Sequence, residues 1–381
     1  MRIIDIDSHF YEPLDWLDEN FPELARQLPP PSITDFIFQF VASDLIQAIP
    51  PELRPADQMD LVPGMKGFLG KLPTVEMLTE IYAKERAFSH PEERQRLCDE
   101  KNIAVQVINS NWAHLPYMKA LELGQPALAL DVAQAYNRWA GERLHGYTDR
   151  LIPSTFLDLR DVDWALAELA RMRKAGSRAF TIRPGPVNAE RSLTHPDLES
   201  VWSAAAELGM ACIFHTGPAG PAQLDPGWLA NGGRPGTFSL LHRVQGPTVK
   251  LALAAMVFDG VFERHPKLHV FVEELGVSWL PEFLEKIDAL AKGRGRVPYD
   301  LPLLPSEYLR RQVRVAALST TDDISPLLDR IPTEILVYSS DYPHPEGGDD
   351  PFATFEGQLG DATPELREQF FGGTISELVD W

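Results

Sequence analysis

The stretch Ile3-Ile4-Asp5-Ile6-Asp7-Ser8-His9 puts two carboxylates and an imidazole into an otherwise apolar run. Residues two apart in an extended chain share a face, so Asp7 and His9 point the same way and can aim at one ion. Further along, His215 ends the run Met210-Ala211-Cys212-Ile213-Phe214, Glu273 and Glu274 end a Val/Phe run, and Asp341 is followed three residues later by His344. Imidazoles mixed with carboxylates are ligand chemistry for Zn, Mn or Fe. Such an ion brings the pKa of bound water to about 7 and polarises a carbonyl. Singly, each motif has a plainer use. Asp-x-His can cap a strand, His215-Thr216-Gly217 can turn the chain, and Asp341-Tyr342-Pro343-His344 can be an Asx-type turn. Only convergence on one place makes ligands of them.

The elements between these residues supply that convergence. Eight apolar runs are expected as strands, over 2–7, 103–109, 151–157, 178–183, 210–215, 268–274, 312–317 and 335–341. Most are near-continuous rather than alternating, as parallel strands covered on both faces are. Between them, 127–144, 163–174, 196–208, 249–264 and 277–290 carry helical periodicity. This alternation predicts an α/β fold, a (β/α)8 TIM barrel. An open doubly wound sheet is the alternative, but no glycine-rich phosphate loop follows the first strand.

In a barrel the C-terminal strand ends meet at one mouth. The residues standing there are Asp7 and His9, Asn109 and Asn111, Asp158, Arg183, His215, Glu273 and Glu274, and Asp341 with His344. Arg183, Asn109 and Asn111 are the candidates for holding substrate, Arg183 through a bidentate grip on a carboxylate. His114 and His242 fall in loops near the mouth as further candidates. The first connection is abnormally long, so 14–97 reads as an insertion or lid within one domain spanning 1–381, and a second excursion, 216–246, follows strand five.

A net charge of −20 and a pI near 4.9 repel phosphate backbones, which argues against nucleic acid as a partner. No apolar run is long enough to span a bilayer and no signal-like segment is present, so a soluble cytoplasmic protein with no membrane partner is expected. Cys98 and Cys212 are far apart and suit a reducing compartment. The expected partner is a small-molecule substrate.

Together the stretches IDIDSHFYEP, AYNRWAGERL, FHTGP, FDGVFERHPKLHVFVEELGVSWLPEFLEKID and VYSSDYPHPEG resemble the amidohydrolase-related (amidohydrolase 2) family of the amidohydrolase superfamily. That family includes aminocarboxymuconate-semialdehyde decarboxylase and the resorcylate-type decarboxylases. The resemblance implies a divalent metal (Zn, Mn or Fe) on Asp7, His9, His215 and Asp341, and assembly into homo- or hetero-oligomers. It also exposes a departure. The decarboxylases place a histidine after strand six in a His-x-Gly pattern, where this chain has Glu274-Leu275-Gly276.

A glutamate there suits a general base, so the leading expectation is a metal-dependent hydrolase acting on a small organic acid, amide or lactone through metal-activated water. In that reading Asp341 shuttles the proton and Glu274 and His344 share the catalytic work. The alternatives are a non-oxidative decarboxylase (a carboxy-lyase), a dinuclear iron or manganese oxygenase in which Glu274 and His344 help hold a second metal, and a silent subunit partnering an active paralogue.

Overall fold

The computed structural model describes residues 1–13, 15–29, 84–188, 190–215, 246–293, 300–344, 347–379 and 381. Most of the expected insertion (30–83), the excursion 216–245 and His242 within it lie outside the described residues.

Eight parallel strands follow one another in sheet order: β1 (Ile3–His9), β2 (Ile103–Asn109), β3 (Leu151–Phe156), β4 (Ala179–Ile182), β5 (Ala211–Phe214), β6 (Val270–Val272), β7 (Val313–Ala316) and β8 (Leu336–Val337). Helices lie between them, and the sheet curls into the (β/α)8 barrel that the strand-helix alternation predicts. The last strand returns to the first through a parallel bridge between Ser8 and Tyr342. Two backbone bonds make this seam: His9 N donates to Tyr342 O at 2.7 Å, and Asp341 N donates to Asp7 O at 2.8 Å.

The strands are buried on both sides, which explains their unbroken apolar character. Ile4, Ile6, Val105, Val107, Ile152, Ala179, Ala211, Ile213, Phe271, Ala316 and Val337 form one cluster, inside the barrel. Ile375, Val379 and Trp381 close it, with the Trp381 ring edge-on to Phe271 at 5.5 Å. The alternate strand residues, among them Ile3, Ile103, Phe180, Cys212, Val270 and Val315, pack outward against the helices.

Helix edges are set by ordinary local chemistry. The Val162–Lys174 helix is N-capped by Asp161, which accepts from Trp164 N at 2.9 Å. The Glu199–Leu208 helix ends at Gly209 in the left-handed region (φ 62°). The Pro126–Arg143 helix turns Leu128, Ala129, Val132, Tyr136 and Trp139 inward, and its Asn137 side chain pairs with both backbone groups of Phe156 at the end of β3. Trp16, from the Trp16–Asn20 helix after β1, packs edge-on to Tyr136 and tilted against Trp139.

One irregularity decides where the site forms. Register along β1 slips: Asp5 faces Gln106, but Ser8 faces Ile108 and His9 faces Asn109. Strict alternation from Ile4 and Ile6 inward would turn Asp7 and His9 out toward the helices. The bulge inserts a residue and re-aims both into the mouth, a common use of bulges beside active sites. Asp5, before the bulge, stays on the outer side. There it accepts from Ser340 N (2.8 Å), Ser340 Oγ (2.5 Å) and Gln106 Nε2 (2.8 Å). The two aspartates of Ile4-Asp5-Ile6-Asp7 therefore divide the work, Asp5 stitching β1 to the chain beyond β8 and Asp7 facing the site.

Candidate metal centre and active site

Asp7, His9, His215 and Asp341, contributed by β1, the end of β5 and the loop after β8, are all buried. Glu274 and His344 lie beside them, partly open to solvent. His9 Nδ1 lies 3.1 Å from Ser110 O, a contact that fixes Nδ1 as the protonated nitrogen. Its Nε2 then faces Asp7 Oδ1 (3.2 Å), Asp341 Oδ1 (3.4 Å) and Glu274 Oε1 (3.5 Å). His215 Nε2 lies 3.5 Å from Asp7 Oδ1 and 3.7 Å from Glu274 Oε1.

Two overlapping groups have ligand atoms all within 4.8 Å of one another: Asp7, His9, His215 and Glu274, and His9, Glu274, Asp341 and His344. Buried atoms in them, Asp7 Oδ2, His9 Nε2 and Asp341 Oδ2 among them, have no hydrogen-bond partner. Buried polar atoms in folded proteins are nearly always paired. Such atoms, of ligand type and on residues whose ligand atoms lie within 4.8 Å of one another, fit a divalent cation.

Backbone conformation serves the same end. Glu274 (φ 56°) and Asp341 (φ 51°) both adopt the left-handed region, costly for residues with a Cβ and concentrated at functional sites. In each case the carboxylate leaves a strand end and turns into the mouth. His344 then links both: its Nδ1 is 2.7 Å from Asp341 Oδ1 and 3.2 Å from Glu274 Oε1, and its Nε2 is 2.9 Å from Asn111 Oδ1. Its ring lies 4.0 Å from that of His9.

The carboxyl groups differ by their neighbours. Burial opposes ionisation of Asp7, but His215 and His9 outweigh it and hold it down at about 2. Burial also opposes Glu274, and His215, His344 and His9 outweigh it, keeping its carboxyl well below the usual range. Burial dominates at Glu273, together with the nearby Asp7 charge, and pushes it well above that range, against the hydrogen bond from Asn109. Asp341 is raised to about 6 by burial and by Glu274, against the pull of His344.

The other expected mouth residues divide. Asn109 is at the centre, its amide donating to Asp7 Oδ1 (3.1 Å) and Glu273 Oε2 (2.9 Å) and accepting from Thr181 Oγ1 (3.1 Å). Both amide hydrogens serve carboxylates. Asn111 meets His344. His114 is buried near His9 and His215, and burial and those rings lower it to about 4. Arg183 follows β4, half-buried beside Gly185, and the cluster's carboxylates are governed by the histidines and each other. Asp158 is engaged by Arg160 and by Tyr117 Oη (3.0 Å). Sequence reasoning missed Glu12 and Arg94, both fully buried. Glu12 lies in the HFYEP stretch, five residues past Asp7; nothing in PEERQRLCDE marked Arg94 as buried.

A parallel eight-stranded barrel with histidines and carboxylates gathered at its C-terminal mouth defines a metal-dependent barrel enzyme. The chain belongs to the amidohydrolase family, which it matches over residues 4–381. As a member of that family it is a metal-dependent hydrolase or carboxy-lyase. Among solved structures it is similar to an amidohydrolase from Mycobacterium avium subsp. paratuberculosis K-10, at 23% identity over 99% of this chain and 98% of that one, with a TM-score of 0.71. It is also similar to 5-carboxyvanillate decarboxylase from Sphingomonas paucimobilis (17% identity, 100% and 99% covered, TM-score 0.60). A third is a dihydroxybenzoic acid decarboxylase from Polaromonas sp. JS666, described with bound manganese and the inhibitor 2-nitroresorcinol (15% identity, 99% and 96% covered, TM-score 0.62). At these identities the likeness is one of fold. No helix among the described residues is long and apolar enough to cross a membrane.

The electrostatics predict a pH dependence for ion binding. In the metal-free protein burial opposes the His9 charge, but Asp341, Asp7 and Glu274 raise its pKa well above 6.5, so His9 carries a proton at neutral pH. A cation must displace that proton, and below pH 6 the one on Asp341 as well. Apparent Mn2+ affinity will therefore rise with pH through neutrality, by roughly tenfold per unit for each proton released. Calorimetry in buffers of different ionisation heat measures the protons directly; a pH-independent affinity from 6 to 8 would contradict the assignment.

Proposed function

We propose that this protein is a non-oxidative, metal-dependent decarboxylase of a small carboxylic acid. The observation that carries this reading is His344. It occupies the mouth beside Glu274, so an imidazole from the loop after β8 stands close to where the family's decarboxylases place one after strand six. Burial and the neighbouring His9 lower its basicity, but Asp341 and Glu274 raise it to about 9, so it is an acid carrying a proton at neutral pH.

A divalent ion held by Asp7, His9, His215 and Asp341 would supply positive charge for the substrate's carboxylate and a sink for electron density. Asp341 Oδ1 meets His344 Nδ1, and Oδ2, which has no hydrogen-bond partner, would be left for the cation. When the bond between the ring or chain carbon and the carboxylate breaks, CO2 leaves and the electron pair stays on that carbon. His344 Nδ1–H delivers the replacing proton, and solvent recharges the ring. Arg183, which follows β4, would hold a second anionic or polar end of the substrate.

Hydrolysis is less well supported. It asks Glu274 to act as general base, and an efficient base has a pKa near the working pH. Glu274 lies among three imidazoles that keep its carboxyl well below that range. Manganese is the metal we favour, because decarboxylases of this fold are described with it.

A second reading, a dinuclear oxygenase, draws on the group His9, Glu274, Asp341 and His344. There His344 would be a ligand and not an acid.

The test is turnover of the Mn2+-reconstituted protein with hydroxylated benzoates and related acids labelled at the carboxyl carbon. Labelled CO2 and one solvent deuterium at the former carboxyl position are the expected result. Ester, amide or lactone cleavage without CO2 would overturn it. Two ions per chain, iron among them, with oxygen uptake would establish the second reading instead.

A further inference from the structure

Glu12 has no place in the chemistry above, yet it is fully buried in a polar network. Its carboxylate accepts from Asn111 N through both oxygens (3.2 and 3.1 Å) and from Trp112 N at 2.6 Å. The Tyr136 hydroxyl, from the Pro126–Arg143 helix, also meets it. Those contacts tie the chain leaving β1 to the chain leaving β2. The tied loop presents Asn111, whose Oδ1 lies 2.9 Å from His344 Nε2. An acceptor there requires a proton on Nε2, which fixes the ring plane and turns Nδ1 to Asp341 and Glu274.

We infer that Glu12 is a positioning residue for the metal centre: by clamping the backbone of Asn111 and Trp112 it holds Asn111 against His344, and His344 holds the Asp341 carboxylate in its ligating orientation. Glu12 touches neither ion nor substrate and acts through two intermediates. A simpler role is filling a buried gap, but an apolar side chain would do that without the cost of burying a carboxyl, which burial pushes up to about 7 here against the pull of the backbone donors. The arrangement aims two backbone N–H groups at one carboxyl, and a polar anchor is the reason to keep it.

The inference rests on the metal-centre part of the proposed function, and its readout is Mn2+ affinity, measured by electron paramagnetic resonance on the full chain without any substrate. Partners that orient metal ligands typically contribute 10–100-fold in affinity. Glu12→Ala and Asn111→Ala are each expected to weaken Mn2+ by about 10–100-fold, and the double variant no more than the worse single, because both break one chain of contacts. Glu12→Gln keeps an acceptor for one N–H and is expected to recover much of the loss. If Glu12→Ala unfolds, the Glu12→Gln and Asn111→Ala pair and their double variant carry the same comparison. Wild-type affinity in Glu12→Gln and Glu12→Ala, or losses that multiply in the double variant, would overturn the positioning role while leaving the metal centre standing. Absence of Mn2+ binding in the wild type would instead overturn the metal centre, and the positioning role with it.

Discussion

His215→Ala will give a folded protein with at most about a tenth of the wild-type manganese affinity and no measurable turnover. Even partners of ligands cost 10–100-fold in affinity when removed, so loss of a ligand sets that as the smallest effect. The fold should persist because His215 leaves β5 at its mouth end, outside the apolar clusters that bind strands to helices. Binding to the folded state alone stabilises by about 2.7 kcal/mol at a ligand concentration one hundred times Kd. Wild-type protein should therefore melt at a clearly higher temperature with excess Mn2+ than with chelator, and the variant should lose most of that difference. Elemental analysis and paired melting curves measure both. Full metal occupancy in His215→Ala would refute the ligand set.

Arg94→Ala is the second large effect, and it falls on the fold. Arg94 Nε donates to Ala87 O (2.7 Å), one terminal nitrogen donates to His9 O (2.5 Å), and the other reaches Gln106 Oε1 (3.4 Å). Its guanidinium also stacks on Tyr342 at 4.6 Å and on Phe10 at 5.0 Å. Burial pulls it down to about 10, which still leaves it charged near neutral pH, with Asp5 among the groups holding it up. Removing Arg94 leaves three neutral acceptors without their donor, at about 1–3 kcal/mol for each one buried. Arg94→Lys should rescue little, since an ammonium cannot make the planar fork that reaches three acceptors and stacks on rings. Urea unfolding is the measurement, and a loss below about 1 kcal/mol would show that the network is not structural.

The barrel was legible in the sequence because each strand is apolar through its length and each helix keeps its own period. All eight expected strands coincide with observed ones to within a few residues at their ends. The convergence of Asp7, His9, Asn109, His215, Glu274, Asp341 and His344 follows from topology once the barrel is granted. What was not legible depends on register and burial. The slip between Asp5 and Ser8 changes no composition, yet it decides that Asp7 faces the site while Asp5 faces outward. The segment PEERQRLCDE falls mostly within the expected insertion 14–97, and only tertiary packing shows that it is a helix with Arg94 enclosed and Glu92 open. His344 was named for its chemistry; its joint hold on Asp341, Glu274 and Asn111 depends on a loop path that spacing alone does not give.

The β8–β1 seam has a further consequence. Its two backbone bonds run from His9 to Tyr342 and from Asp341 to Asp7, so three of the four residues proposed to hold the cation also fasten the barrel shut. A thin seam is where a closed sheet breathes first, and local opening of this kind is read by amide hydrogen exchange. Each such opening would pull Asp7 and His9 away from Asp341 and dismantle the centre. An ion gripped by these side chains is therefore a clasp across the cylinder, and the exchange rates of the His9 and Asp341 amides are gauges of whether the clasp is fastened.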